Sequence, residues 1–376
     1  MREYLFAASL AATLCFLITP LVGKLAMAAG AFVVPRLRDI HTEITPRWGG
    51  LSMWIAMSIT FLTVNHLSLV GKAFGREATG IFLAGSFIML LGLLDDRYDL
   101  DALTKFAGQA LAAGILLLHG VQILWLPING ILILPANIGQ LLTVLFVMVV
   151  INAVNFVDGL DGLATGIVAI SASAFFGFSY LLAVVNGFNR AGAPSLITAV
   201  IVGMCLGFLP HNFHKAKIFM GDSGAMFLGL LLSSAAITLT GQTDANSITA
   251  AGTGSSALPL LPLLLPFAVL AIPFLDLGMA IVRRLRAGRS PFAADKEHLH
   301  HRILGLGSTH KQTTVILYLW TAMFAVPTVV AAFEPLWVSV LVGLVFMTLS
   351  LFLMARSWRR RHPKIGSPTE ELEISL

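Results

Sequence analysis

Charge is scarce in this sequence. Asp, Glu, Lys and Arg make up only 11% of 376 residues, against 57% hydrophobic. Such a chain cannot clothe a water-facing surface, which excludes a soluble enzyme and predicts an all-α polytopic membrane protein. Cysteine is scarcer still: Cys15 and Cys205 are the whole complement. Both fall inside apolar runs, so they read as packing residues and imply no disulfide framework. No internal repeat is visible, and the net charge of +5 requires no nucleic-acid partner.

Long hydrophobic runs are plentiful. A crossing helix needs roughly 20 apolar residues, and the runs predict about eleven, centred near residues 13, 60, 87, 111, 146, 174, 204, 231, 270, 323 and 345. The third and fifth are expected to be short. Pro259, Pro262, Pro266 and Pro273 predict a kinked or broken ninth. With an N-out, C-in topology, only Arg2, Lys72, Arg76 and Arg190 of the 24 Lys and Arg lie in outer segments, as the positive-inside rule requires. The same rule speaks against cleavage after "AMAAG", which would leave Arg36, Arg38 and Arg47 outside. Residues 1–355 thus read as one transmembrane domain. Residues 356–376 read as a tail, basic in "RSWRRRHPK" and then acidic and disordered. In the outer segment "VQILWLPINGILILP", Asn129-Gly130 between two β-prone runs predicts a small periplasmic hairpin.

The polar residues gather where this topology puts the cytoplasmic face: "HTEITPRWGG", "LLDDRYDLDALTK", "NAVNFVDGLDG", "FHKAKIFMGDSG" and "DKEHLHHR". Ionisable groups near membrane depth are costly and tend to face a cavity or a pathway. Helix capping accounts for one such cluster, but not for paired aspartates, a run of histidines and glycine beside acid repeated along the chain. Asp95 and Asp96 are adjacent carboxylates that need a cation or a proton between them, hence a metal site or a proton acceptor. Lys105 suits a phosphate. Asn152, Asn155, Asp158 and Asp161 recur every third position, so their hard oxygens line one side of a short turn, a floor suited to Mg²⁺ and a phosphorylated ligand. Asp222 could cap its helix or join that floor. Phe219 could stack on a planar base or anchor at the interface. His298, His300, His301 and Arg302 suit phosphate or sugar hydrogen bonding better than zinc, which wants four closed ligands. Arg47 and Asp276 read as supporting residues, Asp276 pairing with Arg283 or Arg284.

In order along the chain, "PRWGG", "LLDDRYDL", "NAVNFVDGLDGLATG", "FMGDSGAMFLG" and "HLHHRILGLG" resemble the motifs of the polyprenyl-phosphate N-acetylhexosamine-1-phosphate transferases, the superfamily of MraY and the WecA/TagO-type enzymes. The resemblance runs from about residue 20 to about 310. It implies ten or eleven transmembrane helices in a bacterial inner membrane, with the active site on the cytoplasmic face. It also implies transfer of a sugar 1-phosphate from a UDP-N-acetylhexosamine to undecaprenyl phosphate, releasing UMP, with Mg²⁺ as cofactor and Mn²⁺ as its substitute. Carried over by position, Asp222 and Asn155 match metal-binding residues, Asp95 and Asp96 the essential pair at the lipid phosphate, and Lys105 a phosphate contact. Asp158, Asp161 and Phe219 fall in the nucleotide-recognition segments, and His298 to Arg302 in the sugar loop. Asp99 stands where MraY-type enzymes usually carry lysine, and with "EHLHHR" this resembles the WecA/TagO branch. UDP-GlcNAc is then the expected donor and a lipid-linked cell-envelope glycan the product. Another UDP-N-acetylhexosamine or the MraY substrate is the alternative. A homodimer is compatible with the family. A secondary transporter is the rival class, because broken helices and intramembrane acids also serve transport.

Overall fold

The structure is a computed structural model that describes residues 1–34, 44–67, 71, 75–126, 132–185, 192–242, 265, 267–268, 270–288, 299–305 and 307–361. In chain order the helices are α1 (Arg2–Ala29), α2 (Gly49–Val64), α3 (Arg76–Tyr98), α4 (Ala102–Leu118), α5 (Ala136–Val157), α6 (Leu163–Val185), α7 (Gly192–Asn212), α8 (Gly221–Gln242), α9 (Ala271–Arg286), α10 (Leu299–Gly305), α11 (His310–Phe333) and α12 (Leu336–Arg361). Two-residue strands β1 (Phe32–Val33) and β2 (Thr45–Pro46) pair antiparallel, as do β3 (Trp125–Leu126) and β4 (Leu132–Ile133). The chain is a multi-pass membrane protein: among the described residues, α1, α3, α5, α6, α7, α8, α11 and α12 make 8 helices long and apolar enough to cross a bilayer.

The expected short spans were misplaced. α3 and α5, predicted short, have 23 and 22 residues, whereas α2 and α4 have 16 and 17. The polar ends "DDRY" and "NAVNFV" continue their helices, which an apolar count stops short of. Of the prolines expected to break the ninth span, Pro273 lies in the first turn of α9, where its missing N–H costs nothing. Pro259, Pro262 and Pro266 lie outside the described residues, as do Asn129-Gly130, His298 and the tail from residue 362.

Helix α8 is the axis. Its most apolar 18-residue window is 100% buried, against 11% for the corresponding window of α12. Apolar side chains offer no hydrophobic gain against lipid tails, so close backbone approach at small residues drives this packing. A Cβ on Gly203 or Gly207 of α7 would meet the Ala8 or Ala12 carbonyl of α1, and one on Gly229 of α8 would meet the Ile151 backbone of α5. At α12, Leu341, Leu351 and Phe352 are exposed, as befits a lipid-facing surface. Its attachment to α11 includes Ser339 Oγ donating to the Pro327 carbonyl and Trp320 Nε1 donating to Ser350 Oγ, both at 2.6 Å.

Candidate active site

The remote polar clusters meet at one end of the bundle. Asp95 and Asp96 close α3, which ends on Asp99 in the left-handed conformation (φ 54°), its N–H bonded to the Asp95 carbonyl. Lys105 lies in the first turn of α4, whose start is fixed by Asp101 accepting from the Thr104 amide at 3.1 Å. The Lys105 ammonium then stands between two carboxylates, 2.5 Å from Asp95 Oδ2 and 2.9 Å from Asp222 Oδ2. Asp95 also accepts the Leu100 amide at 2.8 Å. Asp96 turns the other way, into the start of α8: Oδ1 accepts from Asp222 N at 2.9 Å, and Oδ2 from Ser223 N and Ser223 Oγ at 3.2 and 2.7 Å.

A second wall comes from the segment before α2. Phe219 N donates to the Pro46 carbonyl, and the amides of Gly49 and Gly50 donate to the carbonyls of Phe219 and Met220. Trp48 adopts a positive φ of 76°, a strained conformation for a bulky residue, and its Nε1–H reaches the Leu93 carbonyl of α3 at 3.2 Å. This clasp places the Arg47 charge within electrostatic range of Asp158 and Asp222. Asp158 ends α5 and senses Asp222, Asp96 and Asp161 as well. Burial, reinforced by the negative charges of Asp222 and Asp96, pushes its carboxyl up to about 8.

The third wall is the turn after α5. Asn212, buried at the end of α7, accepts from Gly162 N at 3.1 Å and Thr165 Oγ1 at 2.9 Å, and donates to the Ile218 carbonyl at 3.0 Å. Tyr318 of α11 donates to the Gly162 carbonyl at 2.5 Å, and Gly162 itself takes a φ of 71°, which glycine accommodates without strain. Asp161 Oδ2 is held at 3.2 Å by both His214 Nδ1 and the Ala216 amide, and the His214 ring stacks on His310 at 5.8 Å.

Asp95, Asp96, Lys105, Asp158, Asp222 and Arg47 are thus assembled in one place. Asp161 lies on the adjoining turn and Phe219 in the clasp. Asn155 is half-buried one turn before Asp158. Asn152 faces sideways, donating at 2.7 Å both to Gln109 Oε1 of α4 and to the Met148 carbonyl, so it ties helices together. Asp99 is an exposed helix end. Arg302 is exposed on α10, and the side chains of His300 and His301 lie outside the described residues. Asp276 Oδ1 accepts the Leu299 amide at 2.9 Å, which starts α10, and Arg284 stacks over Phe156 at 5.5 Å. Sequence reasoning missed Asn212, Ser223, His214, Tyr318 and the tryptophan of "PRWGG". Asn212 and His214 carried a usable signal, polar side chains ending an apolar run.

A hard divalent cation suits this donor set. The carboxylates of Asp95 and Asp222 already share one cationic group, and the Asn155 amide adds an oxygen near the end of α5. Among the described residues no group of three or more His, Cys, Asp or Glu could hold a metal ion. An ion such as Mg²⁺, which takes one or two carboxylates and completes its shell with water and substrate phosphate, would find its protein oxygens here in Asp222 and Asn155.

Fold and site together define a multi-pass membrane protein with a cluster of acidic and basic side chains at one end of its helix bundle. Residues 78–240 match the model of glycosyl transferase family 4. The chain is 41% identical over 332 residues to the decaprenyl-phosphate N-acetylglucosaminephosphotransferase of Mycolicibacterium smegmatis, covering 86% of this chain and 81% of that one. A Bacillus subtilis protein named a probable undecaprenyl-phosphate N-acetylglucosaminyl 1-phosphate transferase is 32% identical, with 87% and 84% covered. The Escherichia coli undecaprenyl-phosphate alpha-N-acetylglucosaminyl 1-phosphate transferase is 27% identical, with 89% and 87% covered. The chain belongs to glycosyl transferase family 4, among the polyprenyl-phosphate N-acetylglucosamine-phosphate transferases.

Proposed function

We propose that this protein transfers N-acetylglucosamine 1-phosphate from UDP-GlcNAc to a polyprenyl phosphate, releasing UMP, at the cytoplasmic face of a bacterial inner membrane. The observation that carries this reading is the Lys105 ammonium between Asp95 and Asp222, beside the Arg47 charge: cationic groups set among acids to receive two phosphorylated substrates. A lipid phosphate oxygen attacks the sugar-bearing β-phosphorus. The new P–O bond forms as the bond to the bridging oxygen breaks, and UMP leaves with that oxygen and its electron pair. Two anions must meet, so charge neutralisation is the main task.

Lys105 and Arg47 supply the protein's share. Asp95 orients the acceptor and takes the proton of any monoanion; a phosphate monoester has its second pKa near about 6 and so is largely dianionic already. Asp158, whose carboxyl is pushed up chiefly by burial, adds less repulsion than a free carboxylate where the diphosphate approaches. It joins Asp161 and Phe219 in holding the nucleotide, while the α10 segment with His300, His301 and Arg302 holds the sugar. Mg²⁺, held by Asp222 and Asn155, would when bound offset the charge of the diphosphate.

A cavity of about 650 Å³ lies between α5 and α8, lined by Leu142, Phe146, Val149, Ala236, Ile237 and Phe274 among others. It lies roughly 20 Å along α8 from Asp222, at 1.5 Å per residue. A transporter would concentrate its polar groups near mid-membrane, whereas these sit at helix ends. The test is incubation of detergent-purified protein with radiolabelled UDP-GlcNAc, Mg²⁺ and either undecaprenyl or decaprenyl phosphate. Organic-extractable label and stoichiometric UMP are expected. Label that stays water-soluble with both lipids overturns the proposal, and transfer only from UDP-GalNAc or the MraY substrate overturns the choice of sugar.

A further inference from the structure

The two adjacent aspartates closing α3 point to different partners. Asp95 faces Lys105, whose ammonium also touches Asp222. Asp96 is buried at 7% exposure, and three of the roughly four acceptor positions of its carboxylate are filled by Asp222 N, Ser223 N and Ser223 Oγ. The first N–H groups of a helix lack partners within it and carry the positive end of its dipole. Here the cap arrives from another helix. The approach is close enough to demand glycine on both sides. A Cβ on Gly221 (φ +73°) would stand 2.7 Å from Asp96 Oδ1 and 2.8 Å from Asp96 Cγ, and one on Gly92 would stand 2.6 Å from Ser223 N.

We propose that Asp96 is a positioning residue: it caps α8 from α3 and thereby fixes where the Asp222 carboxylate stands, leaving Asp95 as the member of the pair that meets the reacting groups. This rests on the transferase reading for its activity arm. An Asp96 engaged by three donors at the start of α8 has little capacity left to take a proton or to ligate an ion. Its effect on turnover runs through the α8 backbone.

A double-mutant cycle with Ser223 separates the roles. Asp96→Asn sets an NH₂ against one of the three donors while keeping the side chain's shape. The loss of one or two charge-assisted hydrogen bonds should lower kcat roughly ten- to hundredfold. Ser223→Ala removes one donor and should lower kcat by about three- to tenfold. The double variant should be no worse than Asp96→Asn alone, whereas Asp95→Asn and Ser223→Ala should multiply. Hydrogen–deuterium exchange needs no substrate: amides 221–224 should exchange at least about tenfold faster in Asp96→Asn and at the wild-type rate in Asp95→Asn.

Multiplying effects of Asp96→Asn and Ser223→Ala would overturn the proposal. So would abolished turnover in Asp96→Asn with exchange at 221–224 unchanged, or a Ser223→Ala protein with full turnover and wild-type exchange. If Asp96→Asn fails to fold, Ser223→Ala alone decides by that last criterion. If the wild type transfers no sugar phosphate from any UDP-N-acetylhexosamine, the transferase reading fails and the exchange rates still decide the cap.

Discussion

Gly92→Ala tests whether the α3–α8 contact sets the geometry of the site. Gly92 lies on α3 one turn before Asp96 and touches no residue of the pocket through a side chain. An added Cβ would overlap the Ser223 Cα and stand 2.6 Å from Ser223 N and 3.0 Å from the Asp222 carbonyl carbon. Ordinary carbon contacts lie at about 3.5–4 Å, so the two helices must part by roughly 1 Å. The obstructing atoms are backbone, and no rotamer change relieves them. Overpacking of this kind costs about 1–3 kcal/mol, offset by about 1 kcal/mol because alanine favours helix over glycine. The net loss of stability is therefore small, roughly 0–2 kcal/mol. A misplacement of about 1 Å, in contrast, can cost on the order of a hundredfold in turnover. Purified Gly92→Ala should melt close to wild type in detergent yet transfer sugar phosphate about a hundredfold more slowly. Gly114→Ala on α4, where a Cβ meets nothing within 4 Å, is the control and should keep both. Full turnover in Gly92→Ala at an unchanged melting temperature would refute the reasoning.

Lys105→Met leaves the Asp95 and Asp222 carboxylates facing each other without their shared ammonium. Turnover should fall about a hundred- to a thousandfold while the melting temperature drops, and near-normal kcat would remove Lys105 from the chemistry. Arg47→Ala should raise KM for the UDP-sugar about tenfold or more and leave KM for the lipid unchanged; initial rates with each substrate varied decide it. Asp158 has a folded-state carboxyl raised to about 8, chiefly by burial. The native state then binds the extra proton, so stability falls as pH rises from the unfolded value near 4 to about 8 and flattens above that. Asp158→Asn removes this slope, and its melting temperature should exceed wild type by more at pH 8 than at pH 5; a constant difference refutes the shifted carboxyl. Asn212→Ala strands the Gly162 amide and the Ile218 carbonyl, which should destabilise the protein by about 2–4 kcal/mol, and an unchanged thermal shift would count against the clamp.

What the sequence made legible follows from which interactions are local. Apolar runs place helices because each crossing segment must satisfy its own backbone, and the runs around residues 146 and 231 do mark α5 and α8. Where polar residues extend a helix beyond its apolar stretch, as Asp95 and Asp96 do for α3, hydropathy marks the end of the grease rather than the end of the helix. The convergence of Asp95, Lys105, Asp158 and Asp222 was readable because all four stand at helix ends that alternation assigns to one side. Orientation within that convergence was not readable. Neighbours in sequence on a helix point about 100° apart, so Asp95 and Asp96 necessarily face different partners, but only the docking of α8 decides which of them meets Lys105. The glycines obey the same logic: Gly92 and Gly221 look like local flexibility in sequence, yet both answer to Ser223 and Asp96, their contacts across the α3–α8 interface. A motif such as "FMGDSG" therefore encodes two things at once, an acid for the pocket and the small residues that let another helix hold it there. Substitutions that preserve the acid but enlarge the glycine distinguish the two.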